Sequence, residues 1–446
     1  MKPLNILFLS SRLPSHSAGL AQDMMDALTD GGHHVTFGYP GIEKDIYKAT
    51  HKSFLEKLFF KFDVYEYTRA LHLKLKFIKP IYFKNAISKD GMAIFNPNEK
   101  KPPVSARKVV NRLKGPYDLC IILFWQNIFS TKTLYEIYKK FKCPIIMSSV
   151  DMMPMTGGCY YFGTCRNFYD KCGFCPILDS NKENDLTRKN WLYKKECYDK
   201  MDLAYLCNSW MKTYAVKSHL FDKSKIYLCS LILDENVYKP LNITECRHYF
   251  NIPDNKTIVL LTRYRNMARK GMDTLSYGIN KLYESIKPED RDKILLLLIG
   301  ENNRNASTEY ECSVKQLGFL NKDELIKAYN ASTAFLCSST EDAGPSMINQ
   351  SIACGTPCVA YDTGTAIDVI HDGVDGFKAK KIGDKDEWSE CLYKLYKLSP
   401  SEYEQMRTEA RKTALKYDSK EAFLNLIEKI FIDFKKEKDG NQREIL

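Results

Sequence analysis

The sequence predicts an α/β protein of two domains, each built on a doubly wound parallel sheet. Three observations carry this. The chain has 446 residues, too many for one ordinary core and enough for two domains of about 200 residues each. Short apolar runs such as Ile6–Leu9, Asp118–Phe124, Thr257–Thr262 and Ile294–Ile299 alternate with amphipathic helical stretches, the pattern of buried parallel strands linked by crossover helices. And Thr333–Ala360 reads as strand, Gly-rich turn, helix, Gly stop and strand, a complete βαβ unit.

Composition narrows the class. With 44% hydrophobic and 27% charged residues the chain is globular. Its net charge of +11 suits anionic ligands, an anionic membrane surface or nucleic acid. Nucleic acid is disfavoured, because no stacking-platform motif or basic helix-turn-helix pattern is present. No apolar run reaches the ~18–20 residues of a membrane span. The N-terminus lacks a secretory pattern. Several of the 15 cysteines lie in apolar runs (Cys120, Cys207, Cys337, Cys354, Cys358), as expected of a reducing compartment. The expected location is therefore cytoplasmic.

In chain order, Asn5–Ser10 reads as the first strand. The loop 11–18 and Gly19 follow, then a helix from Leu20 to Thr29 stopped by Gly31–Gly32, and a strand over His34–Gly38. Phe54–Lys84 is dense in Phe, Tyr, Leu and basic residues. It reads either as a core helix with a solvated face or as a basic amphipathic element on anionic lipid. Ser105–Leu113 is a short helix. Trp125-Gln126-Asn127-Ile128 and Asp151-Met152-Met153-Pro154 follow strands, so both polar clusters, Asn127 included, are expected at a ligand cleft. A helix over Trp191–Met201 and a strand over Ala204–Asn208 come next, with Ser209 a candidate helix cap. Ile226–Pro240 reads as the passage into the second domain.

Cys159, Cys165, Cys172 and Cys175 are spaced x5, x6 and x2. The closing C-x-x-C suits a four-thiolate structural zinc site, with two disulfides or reduced thiols as the alternatives. Four thiolates leave no open position, so no catalytic metal is expected there.

The second half carries the chemistry. Arg263, Arg265, Arg269 and Lys270 put four cations within eight residues at a strand end, followed by Gly271 and a helix. This is an anion-site signal. The stretch EDAGPSMINQSIACGTPCVA, Glu341–Ala360, then places Asp342, Gly344, Pro345 and Ser346 at a helix N-terminus, where free N–H groups suit phosphate or sugar oxygens. The D-x-D strings at 290–292 and 384–386 lie in polar segments and read as surface. Ala422–Phe434 reads as the last helix, and the charged tail from Lys435 as frayed.

These motifs resemble family 4 glycosyltransferases. Arg263 and Lys270 match the cation pair that grips the donor diphosphate, with Arg265 as competitor for the first place. Asp342 matches the family acid, and Gln350 stands where a glutamate is expected. The string Asp151–Pro176 resembles a signature of the colanic-acid and O-antigen subgroup, retaining Asp151, Thr156, Gly157, Gly158 and all four cysteines, while Val150 replaces a common histidine. Gly19 resembles the first-loop glycine near the donor phosphates.

The resemblance implies a GT-B architecture, two Rossmann-like domains facing across a cleft. Residues 1–228 would form the acceptor side, with the Cys-rich insertion 157–176 and a returning helix 420–435. Residues 229–419 would form the donor domain. It implies a retaining transferase moving sugar from a nucleotide-sugar to a saccharide or lipid-linked acceptor for cell-surface polysaccharide. In it Arg263 and Lys270 bind diphosphate, Asp342 the sugar hydroxyls, Gln350 the ribose and Asp151 the sugar or acceptor hydroxyl, while Gly344 offers its N–H. Membrane association would be peripheral, on the inner face. The alternatives are a non-catalytic nucleotide-sugar binder or a membrane-docked scaffold on the same fold.

Overall fold

The computed structural model describes residues 1–10, 20–39, 42–45, 98–102, 104–123, 125, 129–265 and 267–443. The basic stretch 54–84, Gly19 and Asn127 lie outside them. The described chain forms two compact units, residues 1–207, 211–229 and 423–446 in one, residues 208–210 and 230–422 in the other.

The first unit holds a seven-stranded sheet: β1 (Asn5–Ser10), β2 (His34–Tyr39), β3 (Ile42–Asp45), β4 (Leu119–Leu123), β5 (Ile145–Ser148), β6 (Leu203–Cys207) and β7 (Ile226–Leu228). Their order is β3-β2-β1-β4-β5-β6-β7. Among the described residues only β3 runs antiparallel, against β2. β1, β4 and β6 are almost wholly buried, which is why they read as continuous apolar runs rather than alternating ones. Ile226–Leu228, read from sequence as part of the passage between domains, is instead the seventh strand, paired parallel to β6.

The second unit holds six parallel strands: β8 (Ile258–Tyr264), β9 (Ile294–Gly300), β10 (Ser313–Gly318), β11 (Ala334–Cys337), β12 (Cys358–Tyr361) and β13 (Gly376–Ala379). Their order is β10-β9-β8-β11-β12-β13. Side chains alternate between two apolar layers. Leu261, Leu295, Leu297 and Phe335 enter one, while Leu260, Leu296, Leu298 and Leu336 enter the other, as the period-two geometry of a strand requires. The chain winds outward from β8 to β10, then returns to lay β11 on the other side of β8. That reversal is the topological switch point, where an open α/β sheet leaves a crevice beyond its strand ends.

Two boundaries differ from expectation. The helix expected at Trp191 begins at Leu186, because the Asp185 carboxylate accepts from the N–H groups of Thr187 and Arg188 and caps it earlier. From Lys435 to Arg443 the tail is helical rather than frayed. The last helix runs over Lys420–Arg443, and its end is tied to the first unit by a Lys225–Glu437 ion pair and a Lys438–Asp202 ion pair at 3.1 Å.

Candidate functional site

β8 carries Thr262 and Arg263 to its C-terminal end. The chain then passes Arg265, makes a 3-10 turn over Ala268–Lys270, and enters the helix Met272–Ser285 through Gly271. Gly271 has φ +61°, and a Cβ there would meet the Ser338 carbonyl oxygen at 2.1 Å, so the turn admits glycine alone. The close approach has a purpose. Ser338 Oγ donates to the Lys270 carbonyl at 2.9 Å, and Thr340 N–H donates to the Arg269 carbonyl at 2.9 Å. The turns after β8 and β11 are thereby knitted together on either side of the switch point.

Asp342 lies at the centre of this arrangement and is 5% exposed. Lys270 Nζ donates to its Oδ2, Arg269 Nη1 stands 3.5 Å from the same oxygen, and Gly344 N–H donates to Oδ1 at 3.3 Å. Burial pushes the Asp342 carboxyl up, but the Lys270 and Arg269 cations outweigh it and hold it below the usual carboxylate range. Arg263 is crowded in the opposite sense. Burial of its guanidinium, then the Arg265 cation, lowers its pKa from the ordinary arginine value. Arg265 itself stands 3.8 Å from Glu301.

One pocket collects the cations and the acid. Arg263, Arg265, Lys270 and Asp342 line it, with Gly344, Pro345 and Ser346 at the start of the helix Ser346–Ala353. The site can therefore hold an anion against three cations while offering a carboxylate to a neighbouring hydroxyl group. Gln350 does not line this pocket. It is 2% exposed, and the buried Tyr329 hydroxyl donates to its Oε1 at 2.9 Å. The Gly344 N–H expected to face a ligand is directed at Asp342 instead.

The first unit holds the rest. Asp151 is buried, and its Oδ1 accepts the Met153 N–H at 2.9 Å. Four carbonyls beyond it are gripped by one face of the helix Leu186–Tyr198. Asn190 Nδ2 donates to Gly157 O at 3.1 Å, Lys194 Nζ to Met153 O at 2.5 Å and Thr156 O at 2.9 Å, and Tyr198 Oη to Pro154 O at 3.3 Å. Lys194 and its ion partner Glu99 both have fully buried side chains, 3.5 Å apart. Cys159, Cys165, Cys172 and Cys175 are unpaired by disulfides and line one small cavity. Among the described residues no group of three or more His, Cys, Asp or Glu side chains is arranged to hold a metal ion.

Sequence reasoning missed Arg269 as an Asp342 partner, Tyr329 beneath Gln350, and the Glu99–Lys194 pair. The last had a signal. Asn190, Lys194 and Tyr198 recur every four residues and mark one polar helical face.

Residues 247–413 match the family described as Glycosyl transferases group 1. No curated protein matches the chain. Among solved structures it is similar to HepE of Anabaena in complex with UDP and glucose, at 15% identity and TM-score 0.59 over 96% of this chain and 100% of that one. It is similar to a glycosyltransferase from Rickettsia africae at 13% identity and TM-score 0.62, over 97% and 99% of the two chains. Sucrose-phosphate synthase of Thermosynechococcus elongatus aligns at 14% identity and TM-score 0.61, over 97% and 100%. These likenesses establish the two-domain GT-B fold.

Proposed function

We propose that this chain, a glycosyltransferase by its matched segment and its fold, moves a sugar from a nucleotide-sugar donor to a saccharide or lipid-linked saccharide with retention, in the building of cell-surface polysaccharide. One observation carries the reading: Arg263, Arg265 and Lys270 meet Asp342 in a single pocket at the switch point of the second sheet. A family match over that segment and a fold shared with a chain solved with UDP and glucose support it.

In this reading the bond between the anomeric carbon and the β-phosphate oxygen breaks, and its electron pair stays on the diphosphate. Arg263 and Lys270 stabilise that growing charge, at about 1.5–3 kcal/mol per charge-assisted hydrogen bond. The acceptor hydroxyl oxygen bonds to the anomeric carbon and passes its proton to the leaving phosphate. Asp342 orients sugar hydroxyls. Its contact with Lys270 fixes both groups before a donor arrives, which lowers the reorganisation needed in the transition state. In this reading the four cysteines that line the small cavity take no part in the reaction.

Lys270→Ala is the test. Donor hydrolysis should fall about 100- to 1,000-fold, the usual cost of one transition-state donor, and nucleotide binding should weaken. Unchanged binding and turnover would overturn the reading. A melting screen with UDP-, GDP- and dTDP-sugars would identify the donor base by the largest shift.

A further inference from the structure

Asp342 can serve a donor only if the turn Thr340–Pro345 holds one geometry. Most of that turn is fixed from the β8 side. Thr340 N–H donates to Arg269 O, Glu341 O accepts from Arg269 Nη1 at 3.2 Å, and the Asp342 carboxylate is held by Lys270 and Arg269. From behind, Gly364 presses on the same turn. It has φ +58°, and a Cβ there would lie 2.3 Å from Asp342 O. The peptide between Asp342 and Gly344 is fixed from elsewhere. The buried side chain of Asn208 donates through Nδ2 to the Ala343 carbonyl.

Asn208 stands 135 positions earlier in the chain. Residues 208–210 group with the second unit although residues 207 and 211 group with the first. The next residue makes a second tie within that unit. Ser209 N–H, the first of the helix Ser209–Lys217, donates to Asp368 Oδ2 at 2.8 Å. Asp368 lies in the turn of helix Ala366–Val369, just after Gly364. Consecutive residues therefore hold both loops that enclose Asp342: Asn208 the one carrying it, Ser209 the one pressing on it. A carboxylate at a helix N-terminus is favoured by the unsatisfied N–H groups there, so the Ser209 tie fixes where Asn208 can reach.

We propose that Asn208 is a positioning residue for Asp342, setting its carboxylate through the Ala343 peptide. This rests on the donor-site reading above. An asparagine is suited to the task. Its amide supplies an N–H donor without charge, whereas an aspartate would face a carbonyl oxygen with a second acceptor and add a negative charge beside Asp342. Misplacing a reacting or orienting group by about 1 Å can cost roughly 100-fold in rate.

The experiment compares Asn208→Asp, Asn208→Ala and Asp342→Asn in the full-length protein by donor hydrolysis across pH, with melting temperature as the control for folding. Both Asn208 variants should lose about 10- to 100-fold in kcat with little change in the donor KM, and melt close to the parent protein. Asn208→Asp should also move the acid limb of the rate profile to higher pH, because the added charge opposes ionisation of Asp342; Asn208→Ala should not. If Asn208→Asp fails to fold, the kcat of Asn208→Ala decides. Parent-level kcat in a folded Asn208 variant, or a loss that tracks only the unfolded fraction, overturns the proposal. Parent-level activity in Asp342→Asn overturns the donor-site reading, and this inference with it.

Discussion

The acid-bearing turn Glu341–Ser346 and the segment Asp151–Asp179 are both irregular loops after parallel strands, but they are held by opposite means. The first is held by charge, where Lys270 and Arg269 face Asp342. Lys270 and Asp342 line a pocket there. The segment after Asp151 is held by neutral carbonyls donated to from behind, with Lys194 sealed against Glu99 where no solvent reaches either side chain. The first arrangement leaves its charges at a pocket. The second spends its charges internally and marks a scaffold. A cation read from sequence is thus a candidate ligand contact only when the structure leaves it facing a pocket.

Asp342→Ala should break the comparison hardest. It removes the acid between two cations, and transfer should fall by at least about 100- to 1,000-fold, while the melting temperature drops less than in Lys194→Met because Lys270 and Arg269 are partly exposed, read by product formation and calorimetry on one sample. Lys194→Met should do the reverse. Leaving Glu99 buried and unpaired should destabilise the protein by about 3–5 kcal/mol, seen in denaturant melts, while nucleotide affinity of the folded fraction holds. Equal losses of both properties in both variants would show that the two regions are one cooperative structure.

A third measurement sets the turn's acid against a second buried carboxyl, Asp418, by pH. Burial, against the lowering effect of its Ser230 and Asn349 hydrogen bonds, raises the Asp418 pKa from the ordinary 3.8 to about 7. The folded protein therefore binds more protons than the unfolded chain between those values, and stability falls as pH rises from about 4 to 7. Asp418→Asn should flatten that slope. Asp342 acts in the other direction. Its lowered pKa contributes stability that is present above the unfolded carboxylate value and lost as pH falls through the folded one. The smallest effect is expected from Gln350→Glu. The Tyr329 hydroxyl already donates to that side chain, so turnover should stay within roughly tenfold, the scale of one net hydrogen bond.

Much of this was legible in the sequence. The runs at β1, β8, β9 and β11 are apolar because both sheet faces are covered, and a run of that kind needs no partner to be recognised. The cations from Arg263 to Lys270 and the acid at Asp342 were legible for the same reason: each sits at the end of such a run, so local pattern alone puts them beyond a strand. The helix Lys322–Ala331 begins at an Asn321–Glu324 capping box, a start signal contained within four residues of sequence.

Pairing across the chain was not legible. Lys270 meets Asp342 across 72 positions, and Asn208 meets Ala343 across 135. Gln350 looked like a ribose contact, yet its carbonyl is taken by Tyr329. Sequence period decides which face of a strand or helix a residue occupies, because backbone geometry repeats locally. Which faces meet depends on the order in which strands join the sheet. Only the reversal between β10 and β11 brings the end of β11 beside that of β8, and with it the acid beside the cations.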